Sequence, residues 1–197
     1  MALFRLTRPL DPEPLVRGVG LYLRPAAGGD YLAWSRLREQ SRAFLTPWEP
    51  TWPDDDLTRA AFRRRLRRQS DEIARDEAYA FLIFDATSDE LLGGLTLGGI
   101  RRGVAQAATL GYWMGAPHAG KGYMTRAVAA VVRFGFANLR LHRLEAACIP
   151  DNAPSLALLE RNGFRREGLA RAYLKINDAW RDHVLLAVIE GEATRLD

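Results

Sequence analysis

The sequence predicts a mixed α/β fold, in which helices flank one β-sheet, within a single domain over residues 1–197. Segments of strand and helix periodicity occur in the order strand, two helices, three strands, helix, strand, helix, two strands. A glycine-rich loop joins the fourth strand to the third helix. Neither an internal repeat nor a low-complexity linker divides the chain, which is long enough to bury one core.

The N-terminal third contains one predicted strand and two predicted helices. Residues 20–24 form a short opening strand, and residues 30–42 carry apolar side chains at helical spacing. Two prolines interrupt residues 44–50, which we therefore expect to be a loop. A second helical pattern covers residues 54–75, and we expect the aspartates at its start to cap it.

The middle of the chain predicts three consecutive strands, a glycine loop and a long helix. The strands cover residues 78–85, 91–100 and 105–114, and the helix covers residues 125–139. A stripe of apolar residues at i, i+3, i+4, i+7 and i+8 indicates which face of this helix is buried. The stripe consists of Met124, Ala127, Val128, Val131 and Val132.

The C-terminal part predicts a strand, a short helix and a hairpin. The strand covers residues 143–149, and the helix covers residues 152–162 and ends at Gly163, a residue typical of helix C-termini. Two further strands, residues 169–176 and 182–189, are expected to pair around the turn Asn177-Asp178.

Composition excludes several classes of protein. Hydrophobic residues make up 48% and charged residues 26% of the chain, which is ordinary for a globular protein and argues against disorder. No apolar run approaches the roughly 18 residues that a membrane helix needs, and residues 1–14 lack the pattern of a secretory signal. A single cysteine, Cys148, excludes an internal disulfide and fits a reducing cytoplasm. We therefore expect a cytoplasmic enzyme or binding protein.

The chain carries a net charge of +4, which can attract a polyanion such as RNA or a phosphate-rich cofactor. Much of the positive charge lies in one predicted helix, at Arg63, Arg64, Arg65, Arg67 and Arg68. Acidic residues precede this run, which is also the arrangement that a solvated helix dipole favours. Both interpretations, a solvated face and a weak ribosome or RNA contact, stay open.

The glycine loop has the position of a phosphate site. Gly120 and Gly122 lie between a strand and a helix, where free N–H groups and the positive end of the helix dipole converge. A P-loop is nearly matched from Gly115 to Lys121, but Gly122 stands where the magnesium-binding Ser or Thr is needed. The dinucleotide pattern G-x-G-x-x-G fails at Thr125. A turn without a ligand remains an alternative.

The loop Ala119-Gly120-Lys121-Gly122-Tyr123-Met124 resembles the pyrophosphate loop of the GNAT N-acetyltransferases, Q/R-x-x-G-x-G/A, and departs from it at its first and last residues. The segments that strengthen the resemblance are Leu110-Gly111-Tyr112-Trp113, Asn152-Ala153-Pro154-Ser155, Arg161-Asn162-Gly163-Phe164, Glu167-Gly168, the early Phe44-Leu45-x-Pro47-Trp48-Glu49-Pro50 and the late Trp180-Arg181-Asp182-His183. From Leu21 to Ile189 the chain is similar to the RimJ/RimL-type ribosomal-protein alanine N-acetyltransferases of this family.

The resemblance implies a GNAT fold, a predominantly antiparallel sheet with a splayed parallel strand pair, flanked by helices. It implies acetyl-CoA as co-substrate, bound between the fourth and fifth strands, and no metal. Backbone groups of Trp113 and Met114 are then expected to hold the pantetheine arm and to polarise the thioester carbonyl. The residues that the resemblance assigns to acetyl-CoA are Tyr112, Trp113, Met114, Ala119, Gly120, Lys121, Gly122, Tyr123, Met124, Thr125, Asn152 and Ser155.

Three residues are candidates for the chemistry. The Ser155 hydroxyl can protonate the leaving thiolate, or it can serve only the helix start that Asn152 caps. In the loop where the family builds its acceptor site, Trp48 and Glu49 are candidates for substrate binding, and Glu49 also for catalysis; a solvated surface acid is the alternative. Tyr173 is a second candidate acid. An α-amine, with a pKa of about 7.7–8.0, is partly neutral near pH 7 and needs no strong dedicated base.

The acceptor that these residues favour is the N-terminal alanine of a ribosomal protein. A small-molecule amine is the main alternative, because acceptor loops vary on one scaffold, and an RNA-associated binding protein is a third. The chain is expected to be a monomer or homodimer. His118, His142 and His183 have no metal-ligand spacing, and Cys148 is expected to be a buried core thiol.

Overall fold

The computed structural model describes residues 16–192 and shows one mixed sheet of eight strands. The expectation about residues 1–14 concerns a segment outside this range. The strands are β1 (Val16–Gly18), β2 (Leu21–Arg24), β3 (Tyr79–Asp85), β4 (Leu91–Arg101), β5 (Ala107–Met114), β6 (Arg143–Cys148), β7 (Arg165–Ile176) and β8 (Ala179–Ile189). Their order across the sheet is β1-β2-β3-β4-β5-β6-β8-β7. Every neighbouring pair is antiparallel except β5 and β6, which confirms the predicted fold class.

Helices cover both faces of the sheet. They are α1 (Tyr31–Gln40), α2 (Arg42–Leu45), α3 (Arg59–Ala74), α4 (Tyr123–Ala137) and α5 (Ala153–Arg161). The five residues of the predicted α4 stripe are all buried, as the helical periodicity predicts. They share one core with α5 and with strand side chains such as Leu110, Leu144 and Leu186. On the other face, Trp34 of α1 and Phe62 of α3 pack in a second core.

Two predictions about the segment between the first helix and β3 are wrong. Residues 44–50 are not simply a loop, because α2 and a following 3₁₀ turn, Thr46–Trp48, cover most of them. Pro47 fits inside the first turn, where its missing N–H costs no hydrogen bond. The second helix begins at Arg59, where the Thr58 side chain accepts a hydrogen bond from the Ala61 N–H, and not at the aspartates.

The aspartates before α3 have other partners. Asp55 accepts a hydrogen bond from Arg64, and Asp56 accepts one from Arg65 at 3.0 Å. Their carboxylates therefore pair with two arginines of the basic helix instead of capping it.

Strand bounds differ from the predictions where the sequence pattern is weak. β1 was not predicted, because three residues are too short for a periodic signal. β7 begins at Arg165, four residues before the predicted start, because nearly all of its side chains are exposed and two register irregularities interrupt its pairing with β8. The predicted turn is confirmed: Asn177 and Asp178 have φ values of 44° and 64°, as a two-residue hairpin turn requires.

The sheet opens between β5 and β6. Their parallel pairing extends only from Ala107 opposite Arg143 to Thr109 opposite Glu145. The second half of β5 and the end of β6 are therefore unpaired with each other, so the backbone edge of β5 that faces β6 lacks ladder partners there. This opening creates the splayed strand pair that the family resemblance predicts.

Candidate active site

A cavity of about 820 Å³ lies at the opening between β5 and β6. Its wall includes the glycine loop before α4, the start of α5, the turn after α2 and the end of β7. Of the predicted site residues, those that line it are Trp48, Glu49, Tyr112, Trp113, Met114, Ala119, Gly120, Gly122, Tyr123, Met124, Thr125, Asn152 and Ser155. Lys121, which is exposed, and Tyr173, with 48% of its surface exposed, lie outside the lining.

The glycine loop owes its shape to two residues in the left-handed region. Gly120 and Gly122 have φ values of 74° and 75°, and Gly122 is the N-cap residue of α4. Open space surrounds the Cβ position of Gly120, so conformation and not crowding requires this glycine. The first N–H groups of α4 have no intrahelical partners and face this open space. The loop can therefore bind a phosphate through its backbone.

A cation lies beside this loop that the sequence did not single out. The Arg126 guanidinium lies 4.9 Å from the centre of the Tyr123 ring, and its buried Nε has no hydrogen-bond partner among the described residues. The Tyr123 hydroxyl in turn donates to Asp85 at 3.1 Å. The exposed Lys121 is thus not the sole basic side chain near the loop.

Two hydroxyls meet on the cofactor side of the cavity. The Oγ of Ser155 and the hydroxyl of Tyr112 are 2.7 Å apart. Asn152 caps α5, as its position predicts, and accepts a hydrogen bond from the Ser155 N–H at 3.2 Å. Burial raises the pKa of Tyr112 to about 12, although the bond with Ser155 lowers it. Tyr112 therefore keeps its proton near neutral pH and can act as a donor in this pair.

Cys148 is part of the same wall. Only 4% of its surface is exposed, which confirms the predicted buried thiol, and it lies at the end of β6. Burial also raises the pKa of the Cys148 thiol. The thiol is thus protonated near neutral pH.

Glu49 lies on the opposite side of the cavity and is held by an arginine. Arg38 of α1 donates to its two carboxylate oxygens at 2.8 and 2.7 Å, and Trp52 Nε1 donates to Oε2 at 2.7 Å. The Arg38 guanidinium is stacked between two indole rings, 4.0 Å from Trp52 and 4.9 Å from Trp113. The ion pair therefore ties the loop that carries Glu49 to strand β5.

Sequence reasoning missed Arg38 because the four residues of this cluster, Arg38, Glu49, Trp52 and Trp113, come from three separate segments of the chain. The sequence nonetheless contains one signal, because Arg38 lies on the buried side of α1 together with the apolar residues Trp34 and Leu37. Trp113 also depends on β4, where a side chain at Gly94 would overlap its indole ring. The cluster forms only when the sheet and α1 are in place.

The β7–β8 hairpin contacts the loop that carries Glu49. The Asn177 N–H donates to the Glu49 carbonyl at 3.1 Å, and the Thr51 hydroxyl donates to Asp178 at 2.9 Å. Residues 174–176 of β7 line the cavity next to this contact. The turn that the sequence predicted thus closes one end of the site.

Two histidines that the sequence left without a role also line the cavity. His118 is buried beside the glycine loop, with Nε2 3.7 Å from Glu90. His183 of β8 is buried and lines the cavity, with Nδ1 2.9 Å from the Arg181 carbonyl oxygen. The ring of Tyr173 packs edge-on against His183, with 5.7 Å between ring centres. Tyr173 therefore contacts a residue of the cavity wall but does not line the cavity itself.

The basic face of α3 lies outside the cavity lining. Arg64 and Arg65 pair with the aspartates before the helix, and Arg68 lies 3.6 Å from Glu72. Arg63 and Arg67 are exposed and have no ionic partner among residues 16–192. Two of the five arginines are thus available to a ligand outside the chain.

Some kinds of site were not found in the described part of the chain. In residues 16–192, no three or more His, Cys, Asp or Glu side chains form a group that could hold a metal ion. No helix among the same residues is long and apolar enough to cross a membrane.

Comparisons with known proteins agree with the geometry. The family model for the acetyltransferase (GNAT) domain matches residues 20–165. The probable N-acetyltransferase YjcK of Bacillus subtilis is 38% identical over 90% of this chain and 98% of its own. The ribosomal protein uS5-alanine N-acetyltransferase of Escherichia coli is 36% identical over 79% of this chain and 80% of its own.

A solved structure shows the same architecture. Mycobacterium smegmatis RimJ in complex with CoA-disulfide superposes with a TM-score of 0.85 and is 34% identical; the match covers 92% of this chain and 90% of that one. That protein binds a CoA compound on a fold of the kind described above.

Proposed function

This chain belongs to the GNAT acetyltransferase family and is an N-acetyltransferase that uses acetyl-CoA, and we propose that its acceptor is the N-terminal alanine α-amine of a ribosomal protein. One observation carries the proposal. The loop with Trp48 and Glu49, which the sequence resemblance singled out as the acceptor site, forms the cavity wall across from the glycine loop. The 36% identity with the uS5-alanine enzyme of Escherichia coli supports this choice of acceptor. Like a ribosome-modifying enzyme, the protein would act in the cytoplasm.

Acetyl-CoA fits the opening in the sheet. We propose that backbone N–H groups of residues 120–125 bind the pyrophosphate, because these groups lie at a helix start and have no partners in the helix. The unpaired edge of β5 at Trp113 and Met114 supplies hydrogen bonds to the pantetheine arm and to the thioester oxygen. Ala119 brings no side-chain donor, so the phosphate contacts come from the backbone and from nearby cations. Asn152 contributes through its position at the start of α5.

The hydroxyl pair supplies the proton that the leaving thiolate needs. We assign this role to Ser155, which lies 2.7 Å from the Tyr112 hydroxyl. Tyr112 stays protonated near neutral pH and can replace the proton that Ser155 gives away. Proton transfer from a positioned group contributes about 10²–10⁴-fold in typical enzymes.

The acceptor end binds the incoming amine. We propose that Glu49, fixed by Arg38 and Trp52, accepts a hydrogen bond from the incoming amine and so orients it, while Trp48 contacts the first side chain of the peptide. Tyr173 packs behind the wall, and we propose that it supports the site through the His183 ring and does not donate a proton itself.

A panel of acceptors tests the proposed function. With labelled acetyl-CoA, we expect transfer to a peptide with an N-terminal alanine and none to the same peptide with a blocked N-terminus. Lysine and spermidine in separate reactions test the alternative of a small-molecule amine. Preferred transfer to spermidine, with no transfer to the alanine peptide, would overturn the choice of acceptor and leave the acetyltransferase assignment in place.

A ribosome contact is a second candidate function, carried by the unpaired Arg63 and Arg67 of α3. We propose that this face weakly binds ribosomal RNA and so concentrates the enzyme near its acceptor. Arg63→Gln combined with Arg67→Gln should weaken RNA binding and reduce its salt dependence, because fewer counterions are released. The paired Arg64→Gln serves as the control. An unchanged salt slope in the double variant would exclude this contact.

A further inference from the structure

We propose that His183 is the catalytic base, whose Nε2 takes the proton of the attacking amine; the proposal rests on the proposed function, because it requires an amine acceptor at this end of the cavity. His183 lies on β8 opposite Ala170 of β7, and only 3% of its surface is exposed. That small exposed surface forms part of the cavity wall.

The hydrogen bond of His183 fixes which ring nitrogen can act as a base. Its Nδ1 is 2.9 Å from the Arg181 carbonyl oxygen, and a carbonyl oxygen can only accept. Nδ1 therefore carries the proton and donates, which leaves the lone pair on Nε2. A backbone carbonyl that fixes the tautomer is a common way to orient a functional histidine.

The lone pair on Nε2 has no partner among the described residues. No described residue forms a hydrogen bond or ion pair with Nε2. The buried polar side-chain atoms without a partner, among the described residues, are Nε of Arg38 and Nε of Arg126. Nε2 of His183 is not among these sealed atoms, and His183 is one of the residues that line the cavity.

The register of the sheet places His183 on the acceptor side. Cys148 of β6 is paired with Val184 of β8, and both belong to the core beneath α4 and α5. Side chains alternate along a strand, so His183 points to the opposite face. Trp113 points to that face as well, because it packs against the core beneath α1 and α3. The loop with Glu49 connects these two helices.

The acid and the base are thus separated by the sheet. Ser155 belongs to α5 on the cofactor face, whereas His183 faces the acceptor loop. An amine that enters past Glu49 meets Nε2 on its own side of the opening. The thiolate leaves toward the hydroxyl pair on the other side.

Glu49 is less suited to remove the proton. Its two carboxylate oxygens already accept three hydrogen bonds, two from the Arg38 cation and one from Trp52. We therefore assign this carboxylate, which holds the buried Arg38 guanidinium, an orienting role. On His183, by contrast, Nε2 has no partner to lose among the described residues, and Nδ1 keeps its bond to the Arg181 carbonyl.

In the proposed step, the amine displaces the thiolate from the thioester carbon, while His183 and Ser155 transfer the protons. The amine nitrogen forms a bond to the thioester carbon and becomes cationic, and its N–H proton passes to Nε2 of His183. The C–S bond breaks, and the sulfur takes a proton from the Ser155 hydroxyl, which regains one through Tyr112 from solvent. The imidazolium then releases its proton to water, so the products are an acetylated amine and a free thiol.

His183→Asn is the decisive variant, because an asparagine amide can keep the hydrogen bond to the Arg181 carbonyl while it removes the basic nitrogen. We expect kcat with the alanine peptide to fall about 100-fold, as is typical for loss of a general base. The acetyl-CoA Kd, measured by calorimetry, should stay within about twofold, because His183 lies on the other face. His142→Gln, an exposed histidine, is the matched control and should leave both values unchanged.

Rescue separates chemistry from structure. Added imidazole should restore part of the activity of His183→Ala, which leaves room for it, and should not stimulate the wild type. A wild-type kcat in His183→Asn overturns the proposal, and so does a His183→Ala variant that binds acetyl-CoA normally but gains nothing from imidazole.

The two proposals fail in different ways. If the wild type acetylates a different amine of the panel, the proposed acceptor is wrong, and the His183 variants are then compared on that amine. If the wild type acetylates the alanine peptide and His183→Asn does so equally well, only the assignment of the base is wrong.

Discussion

The proposed cofactor end and the proposed acceptor end of the cavity differ in the chemical groups that line them. At the cofactor end, one loop of consecutive residues and an unpaired strand edge present backbone groups, and Gly120 and Gly122 give the loop its conformation. At the proposed acceptor end, side chains from α1, β5 and the segment after α2 meet around Arg38 and Glu49. On the proposed function, the first end binds a group common to all acyl-CoA donors, and the second is built from parts that can change independently. The difference explains how one scaffold can keep its donor while its acceptor varies.

The largest effect is expected at the backbone end. Gly122→Glu should abolish detectable acetyl-CoA binding, a loss of more than about 100-fold, because it places a negative charge and a side chain where the pyrophosphate binds. Calorimetry measures the affinity. Gly103→Glu is the control, because Gly103 also has a positive φ, 64°, and open surroundings, but lies away from the cavity. If both variants bind acetyl-CoA equally well, the loop does not hold the phosphates.

A substitution at the proposed acceptor end should have a different effect from Gly122→Glu. Arg38→Gln leaves the Glu49 carboxylate without its cation, and we expect a loss of about 2 kcal/mol in the free energy of unfolding, the cost of removing a charged hydrogen-bond partner. The peptide KM should rise, while the acetyl-CoA Kd changes little. Urea unfolding and steady-state kinetics measure the two effects.

A surface ion pair provides the control for this prediction. Arg166 pairs with Glu160 at 2.7 Å, but both side chains are about half exposed. Arg166→Gln should therefore change stability by less than about 1 kcal/mol. Equal effects of the two substitutions would mean that the Arg38 pair has no special role in the acceptor end.

The difference between a site built from consecutive backbone groups and one built from side chains of separate segments also explains what could be predicted from the sequence. The glycine loop, the α4 stripe and the cap at Asn152 are local patterns, and the structure has these features where they were predicted. The Arg38 cluster depends on contacts between distant segments, so the position of Arg38 on α1 did not reveal its partners. β7 was predicted too short, since its exposed side chains and irregular register leave no alternating pattern. Local backbone chemistry was thus accessible from sequence, and assembled side-chain chemistry was not.

An intermediate effect is expected at the hydroxyl pair formed by Ser155 and Tyr112. Ser155→Ala should lower kcat about 10-fold or more, and Tyr112→Phe should do so less, because Ser155 delivers the proton and Tyr112 replaces it. Because the two share one hydrogen bond of 2.7 Å, the double variant should lose less than the product of the single losses. Rapid-quench measurement of the transfer step separates this effect from product release. Independent, multiplicative losses would show that the hydroxyls do not act as a unit.

The smallest effect is expected where the hairpin contacts the acceptor loop. Thr51→Val keeps the shape of the side chain but removes the hydrogen bond from its hydroxyl to Asp178, an exposed contact of 2.9 Å. The free energy of unfolding should fall by about 0.5–1 kcal/mol at most, which is the usual net value of one hydrogen bond. The peptide KM should rise about twofold, since the bond from the Asn177 N–H to the Glu49 carbonyl still holds the hairpin in place. Thr87→Val, an exposed position in the β3–β4 turn, is the control for the loss of a hydroxyl. A rise in the acetyl-CoA Kd in Thr51→Val would mean that the two ends of the cavity are coupled through the hairpin. The two ends would then differ in the groups that line them but would not act independently.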